Sequence, residues 1–344
     1  MEVLQNTLYV VTQGASVRRD HLTVQVVVEK QVRLAVPIHH LDSVALFGNV
    51  YASPGLMRLC ADSGVAISFL SESGRLLSRV DAPASGNVLL RRTQFRWADE
   101  PWRCAGVARS IVAGKLQNSR NLLLRAGRES ELPDDQAALQ RAAEQLADTI
   151  QALPQAETTE TVRGHEGNGA RVYFGAFTSM VRQGRDTFRL DQRSRRPPMD
   201  PVNALLSFCY SLLLQDCVAA AAVAGLDPSV GFLHEDRPGR PGLALDLMEE
   251  FRPLVADRLV LALINRQQVK ADGFTRREGG SVQMDDATRR TLLTACQQRK
   301  RETVPHSYLE QKVPLGRLPF LQARILARHL RGDLPAYVPC VLKN

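Results

Sequence analysis

Gly231-Phe232-Leu233-His234 sets a histidine on a short loop, and Leu245-Asp246-Leu247-Met248-Glu249-Glu250-Phe251-Arg252-Pro253 follows with an Asp-x-x-Glu step on a helical pattern. Far upstream, Gly164-His165-Glu166-Gly167-Asn168-Gly169-Ala170 offers another carboxylate. One imidazole and carboxylates from two helices can hold a divalent cation. Oxygen and nitrogen donors without thiolate suit Mn²⁺ well and Mg²⁺ acceptably, and are compatible with Zn²⁺. Three ligands, Glu166, His234 and Glu249, leave coordination positions open for a phosphodiester oxygen and an attacking oxygen, the metal acting as Lewis acid and template. Asp246 stands one helical turn before Glu249, on the same side of the helix.

Each residue alone has an ordinary structural explanation. Acids in the first turns of a helix are favoured by its macrodipole and normally face solvent. A histidine after Gly-Phe-Leu normally satisfies a local polar contact. The shared context argues otherwise: each stands at an expected element boundary flanked by Gly, before an apolar helix that can fix it. Arginines are close in sequence as well, Arg163 and Arg171 around the first, Arg237 and Arg240 around the second, Arg252 near the third.

A second cluster carries cations. Arg182, Arg185, Arg189, Arg193, Arg195 and Arg196 crowd one segment, opposed there only by Asp186 and Asp191. Such a run is ordinarily a solvated surface, but this one is tethered between the Glu166 helix and a buried helix, and so beside the acids. Arginine suits bidentate contact with phosphate. Aromatics are sparse around it (Phe188, Phe274), so tracking of a nucleic-acid backbone is expected over base stacking. Together these residues point to metal-dependent chemistry on nucleic-acid phosphate. A Ser-His-Asp elbow, a Walker loop and a dinucleotide fingerprint are all missing.

The elements that must position these groups divide the chain in two. Residues 1–90 show short apolar runs at Leu8–Val11, Leu22–Val28, Arg33–Ile38, Ser43–Phe47, Val65–Leu70 and Leu76–Val80, separated by turn residues, with one helix from Pro54 capped by Ser53. This predicts a small β-rich domain suited to assembly. A linker is expected over 91–102 and a larger all-α catalytic domain over 103–344, an α+β chain as a whole. Helices are expected at Ala105–Arg125, Asp134–Leu153, Glu166–Val181, 203–224 and Gly242–Arg266, with Asp272–Asp286 a polar loop.

Composition agrees. The 344 residues are 44% hydrophobic and 23% charged, with a formal net charge of +8, an ordinary globular balance with a basic bias toward acidic partners. Six scattered cysteines (Cys60, Cys104, Cys209, Cys217, Cys296, Cys340) form no C-x-x-C pair and read as reduced thiols of a cytoplasmic, bacterial protein. No signal-peptide layout opens the chain. The apolar run from Ala204 to Gly225, broken by Gln215-Asp216, reads as a core helix and not a membrane span.

At this point the chain resembles a family. Gly-Phe-Leu-His234, then Asp-Leu-Met-Glu-Glu-Phe-Arg-Pro, Glu166-Gly167 with Ala170 and Tyr173-Phe174, and Arg195-Arg196-Pro197-Pro198-x-Asp200-Pro201-Val202-Asn203-Ala204-Leu205-Leu206-Ser207 are similar to the CRISPR-associated adaptation integrase, Cas protein one, nearest its type I-C members. The resemblance spans nearly the whole chain. It implies a homodimer, two of which flank a dimer of Cas protein two in a heterohexamer, and insertion of short duplex DNA into a CRISPR array using Mg²⁺ or Mn²⁺. The family's metal Glu falls on Glu166, its His on His234 and its last acidic ligand on Glu249, while Asp246 matches a further acidic position near the metal. Many members carry Asp where this chain has Glu249, so Glu249 and Asp246 both stand as the closer ligand. Two rival readings remain at this stage: a metal-dependent nuclease acting on branched DNA in repair, and a non-catalytic DNA-binding scaffold.

Overall fold

Alternating apolar residues in short runs produce two small sheets in the first of two units, 1–86 and 87–344, of a computed structural model that describes residues 7–80, 87–194 and 197–342. The strands are β1 (Thr7–Val10), β2 (Ser16–Asp20), β3 (Thr23–Val28), β4 (Gln31–Pro37), β5 (Ser43–Phe47), β6 (Tyr51–Ala52), β7 (Ala66–Leu70) and β8 (Leu76–Val80). One sheet has the order β1-β5-β7-β8, parallel until β8 turns back; the other has the order β4-β3-β2-β6, an antiparallel meander closed by the parallel β6. Helix α1 (Pro54–Asp62) begins as expected, with the Ser53 side chain accepting from the Leu56 N–H. Val17, Val24, Val44, Leu56, Cys60 and Ile67 are sealed within this unit's core.

The expected linker over 91–102 is a correction. Apart from the two-residue connection Asp99-Glu100, those residues lie in α2 (Val88–Ala98) and the first turn of α3 (Pro101–Glu129). Asn87 caps α2 by accepting from the Leu90 N–H, and Gln94 anchors it. The buried Gln94 side chain donates to the Asp227 and Val230 carbonyls at 2.9 and 2.8 Å and accepts from the Asp227 N–H at 2.8 Å. The division between units falls at Gly86/Asn87, ahead of that helix.

The second unit continues with α4 (Pro133–Ala152), α5 (Thr159–Gly175), α6 (Pro201–Val223), α7 (Gly242–Phe251), α8 (Arg258–Asn265), α9 (Asp286–Arg301) and α10 (Leu318–Leu330). It is not purely helical: β9 (Phe274–Arg276) pairs with β10 (Val282–Met284), inside the segment expected to be a loop, and β11 (Thr303–His306) pairs with β12 (Gln311–Pro314). Helix α3 is central, packed by α4, α5 and α7, with Ile111, Val112, Leu116 and Leu123 buried. Helix α6 is long and apolar enough to cross a membrane by length and composition, yet 56% of its apolar window is buried, and it packs on α7 and α10. Between α7 and α8 the helix widens into a π turn, Arg252–Asp257. Pro253 sits in that turn; it has no N–H to donate and its ring crowds the carbonyl one turn back, so the regular ladder cannot pass through it.

Candidate metal centre

Helix α5 starts at Thr159, seven residues ahead of Glu166, held by a reciprocal capping box between Thr158 and Thr161. Glu166 therefore stands mid-helix, not at the element boundary its glycines suggested. Of those glycines, Gly169 has a different use: a Cβ there would run into Leu116 Cδ2, so its absence lets α5 close on α3. That approach brings Glu166 to Lys115, a residue the sequence reading did not single out. Lys115 Nζ pairs with Glu166 Oε1 and lies 2.6 Å from Glu249 Oε2.

The histidine loop is held by one carboxylate. Asp246 is fully buried; its Oδ2 accepts from the Phe232 and Leu233 N–H groups at 2.6 and 3.0 Å, and its Oδ1 accepts from the His234 N–H at 3.0 Å. His234 Nδ1 is 2.7 Å from the same Oδ1. A carboxylate can only accept, so Nδ1 carries a proton, and Nε2 is the ring nitrogen turned toward Glu249, 4.0 Å from its Oε1. Both Asp246 oxygens are thus committed to the loop. Glu249 is the acid that faces the imidazole. Gly231 permits this closure, since a Cβ there would meet the Gly242 carbonyl carbon at 2.8 Å and Asp246 Oδ2 at 2.9 Å.

Electrostatics keep the cluster charged despite burial. Burial alone would raise the Glu249 carboxyl, but Arg252 (3.0 Å from Oε1), Lys115 and His234 outweigh it and hold it far below the ordinary range. Burial likewise presses the Lys115 ammonium down, and Glu249 and Glu166 more than reverse it. Glu249 Oε2 is buried, and the Lys115 ammonium 2.6 Å away balances its charge. Among the described residues, no three His, Cys, Asp or Glu side chains close around an ion as they stand; a cation, Lys115 Nζ, already sits where Glu166 and Glu249 converge. Two carboxylates and an imidazole nitrogen are fitting donors for Mg²⁺ or Mn²⁺.

A family model described as CRISPR associated protein Cas1 matches residues 8–298. The chain belongs to the Cas1 family. The CRISPR-associated endonuclease Cas1 1 of Moorella thermoacetica is 47% identical over 339 residues, which cover 98% of this chain and 99% of that relative. In fold, a Cas1 protein from Thermotoga maritima superposes with a TM-score of 0.81 at 24% identity, over 95% of this chain and 97% of its own. A casposase bound to integration product superposes with a TM-score of 0.83 at 22% identity, over 97% of this chain and 93% of its own.

The arginines expected to meet DNA separate into two groups. Arg189, Arg237 and Arg171 are exposed, Arg189 beside Asp191 at 2.6 Å, Arg237 3.5 Å from Glu235, and Arg171 donating to Asn168 Oδ1 at 2.9 Å. Arg163 pairs with Glu235 at 2.7 Å and Arg182 with Glu129 at 3.5 Å; Arg240 is half-buried. Arg185 is tied to Asp135. Arg193 is tied to Asn203 and lies over the Tyr210 ring. Arg252 is a correction: it is buried against Glu249, its guanidinium 4.4 Å over Tyr210, and belongs to the acid cluster, not to a DNA-facing surface. Arg195 and Arg196 lie outside the described residues.

Beneath the cluster, Tyr173 and Tyr210 donate to the two oxygens of buried Asp257 at 2.9 and 2.6 Å. Burial pushes the Asp257 carboxyl up to about 6, against the lowering by both tyrosines. Between its unfolded value near 4 and about 6 the folded protein binds the extra proton, so stability falls as pH rises through this window. Asp257→Asn removes that dependence. The stability gap between wild type and Asp257→Asn, read by urea denaturation, is expected to move by roughly 3 kcal/mol in the variant's favour from pH 4 to pH 7. A gap that is constant with pH would show that Asp257 does not titrate in this range.

Proposed function

We propose that this chain is a metal-dependent DNA integrase of CRISPR adaptation, which inserts new spacer DNA into a CRISPR array by transesterification. The observation that carries the reading is that Glu166 and Glu249 meet at one point, Lys115 Nζ, while His234 turns its Nε2 toward Glu249 Oε1 at 4.0 Å. Mg²⁺ or Mn²⁺ held by these three supplies Lewis-acid polarisation of a phosphodiester oxygen. Asp246 orients the imidazole without being a ligand, Arg252 keeps Glu249 ionised, and the exposed arginines hold DNA backbones in register. The bond between an incoming 3′ oxygen and phosphorus forms as the bond to the old 3′ oxygen breaks. One ester replaces another, and no covalent enzyme intermediate is required. Water in place of the 3′-hydroxyl gives the nuclease activity that the name of the Moorella relative carries.

The family resemblance supports the rest of this reading: a homodimer, a heterohexamer with Cas protein two, duplex spacer precursor and repeat DNA as substrates, and a type I-C-like system. Six buried free cysteines suit the cytoplasm of a bacterium. The test uses a labelled branched DNA that mimics a half-integrated product, with Mn²⁺, Mg²⁺ or EDTA. Metal-dependent rejoining of the continuous strand supports integration. Cleavage without rejoining favours the nuclease alone, and binding without any metal-dependent product leaves only a scaffold.

Lys115 gives this reading a specific consequence. A cation entering between Glu166 and Glu249 competes with its ammonium. Lys115→Met is therefore expected to bind Mn²⁺ more tightly, by about tenfold for each 1.4 kcal/mol of competition removed, while its metal-free form melts lower because two acids lose their counter-ion. Titration of Mn²⁺ followed by electron paramagnetic resonance reads the first effect and thermal denaturation in EDTA the second. Weaker Mn²⁺ binding by the variant would mean that Lys115 supports the ion instead of standing in for it.

A further inference from the structure

A cavity of about 280 Å³ opens in the second unit among α3, α8 and α9. It is separate from the acid cluster: Arg125 on its wall lies ten residues along α3 from Lys115, about 15 Å at the helical rise. Five arginines line it, Arg125, Arg182, Arg258, Arg266 and Arg299, against two carboxylates, Glu129 and Glu302. Both acids are already engaged, Glu129 by Arg125 at 2.8 Å and Arg182 at 3.5 Å, Glu302 by Arg299. Five positive charges less two negative ones leave three uncompensated. The side chains of Arg258 and Arg266 make no hydrogen bond or ion pair with any described residue.

Burial sorts these groups into a floor and a rim. Arg299 is buried and Arg258 half-buried, while Arg125, Arg182 and Arg266 are exposed around them. Arg299 is fixed from below by donating to the Leu254 carbonyl at 3.0 Å. Burial, with Arg299 and Arg125 as neighbours, pushes the Arg258 guanidinium down to about 10, the mark of like charges gathered in a partly desolvated space. A solvated surface would spread such charges apart. A cavity that holds them together is complementary to a compact anion, and guanidinium groups match phosphate oxygens in pairs.

We propose that this cavity is a binding site for a phosphate group, carried by a free nucleotide or by the end of a nucleic acid. The site stands apart from the integrase reading, because its occupancy requires neither metal nor branched DNA.

The probe is inorganic pyrophosphate, titrated calorimetrically into the full chain in EDTA, so that the metal centre contributes nothing. Saturable binding at one site per chain is expected, weakened at least about tenfold (1.4 kcal/mol) in the double variant Arg258→Gln, Arg266→Gln. Without ligand, that variant is expected to melt no lower than wild type, since like-charge repulsion is relieved. The control double variant Arg328→Gln, Arg331→Gln, at two exposed arginines outside the cavity, removes equal charge elsewhere and is expected to leave pyrophosphate binding unchanged. Two further arms separate the sources. A 5′-phosphorylated oligonucleotide that displaces pyrophosphate better than its 5′-hydroxyl counterpart identifies a nucleic-acid end; displacement by a nucleoside triphosphate, with both oligonucleotides equal, identifies a nucleotide. Absence of saturable binding, equal loss in the control double variant, or a lower melting temperature in the cavity double variant would overturn the proposal.

Discussion

His234→Ala is expected to remove strand rejoining and cleavage while leaving the fold intact. The two effects separate because the loop does not depend on the imidazole. Asp246 still accepts from the Phe232, Leu233 and His234 N–H groups after the ring is gone, and only the Nδ1 contact is lost. Loss of an outer-shell partner commonly costs 10–100-fold, so loss of the ligand itself should cost at least about 10²–10³-fold in rate. Asp246→Ala differs in kind. It leaves three backbone N–H groups without an acceptor in a buried site, each costing about 1–3 kcal/mol, and frees the ring to turn away from Glu249. Rejoining rates measured beside urea denaturation distinguish the two: a dead His234→Ala at wild-type stability, a dead and destabilised Asp246→Ala. A His234→Ala protein that still rejoins strands in Mn²⁺ would remove His234 from the site.

Glu166, Asp246, Glu249 and His234 were legible only through shared context, the flanking glycines, nearby arginines and the family resemblance, since each is ordinary alone; the helix over 242–266 was legible from its apolar stripe. Lys115 was missed, although it left a signal. It lies on the apolar stripe of α3, four residues from Ile111 and seven from Ala108 and Leu122, where a charge must find a partner once buried. What the sequence could not show is which acids would meet it, since those arrive from α5 and α7 through tertiary packing. Helix α2 was missed because Arg91-Arg92-Thr93-Gln94-Phe95-Arg96 lacks an apolar stripe; Gln94 holds it by hydrogen bonds to a loop more than a hundred residues away. Strand β2 was missed for a similar reason: in Ser-Val-Arg-Arg-Asp only Val17 is buried, and pairing with β3 and β6 decides its state. The start of α5 was placed late because its glycines read as boundary residues, whereas Gly169 serves a close helix contact.

Glu250 is next to Glu249 in sequence but faces a different set of partners, and its place predicts the largest stability effect in the second unit. Its Oε1 accepts from Tyr337 Oη at 2.5 Å, and its Oε2 accepts from the Cys340 N–H at 2.7 Å and Gln322 Nε2 at 3.2 Å. Burial pushes its carboxyl up to about 8 even with those three donors lowering it. Asn118 fastens the same segment by donating to the Glu250 and Cys340 carbonyls at 3.0 and 2.8 Å and accepting from the Leu342 N–H at 3.2 Å. The segment 337–342 is thus clamped between α3 and α7, the helices that carry Lys115 and Glu249. Glu250→Ala leaves a cavity and strands three buried donors, for a loss of at least about 3 kcal/mol in urea denaturation. Hydrogen exchange in 337–342 should accelerate with it. Glu250→Gln should cost far less, because its carbonyl can still accept from the Cys340 N–H while its amide donates to Tyr337 Oη. Equal losses in the two variants would mean that shape, not hydrogen bonding, holds the segment. Because the clamp joins α3 to α7, Glu250→Ala is also expected to loosen the contact between Lys115 and Glu249 and to slow rejoining without altering any ligand, an effect that Glu250→Gln should restore.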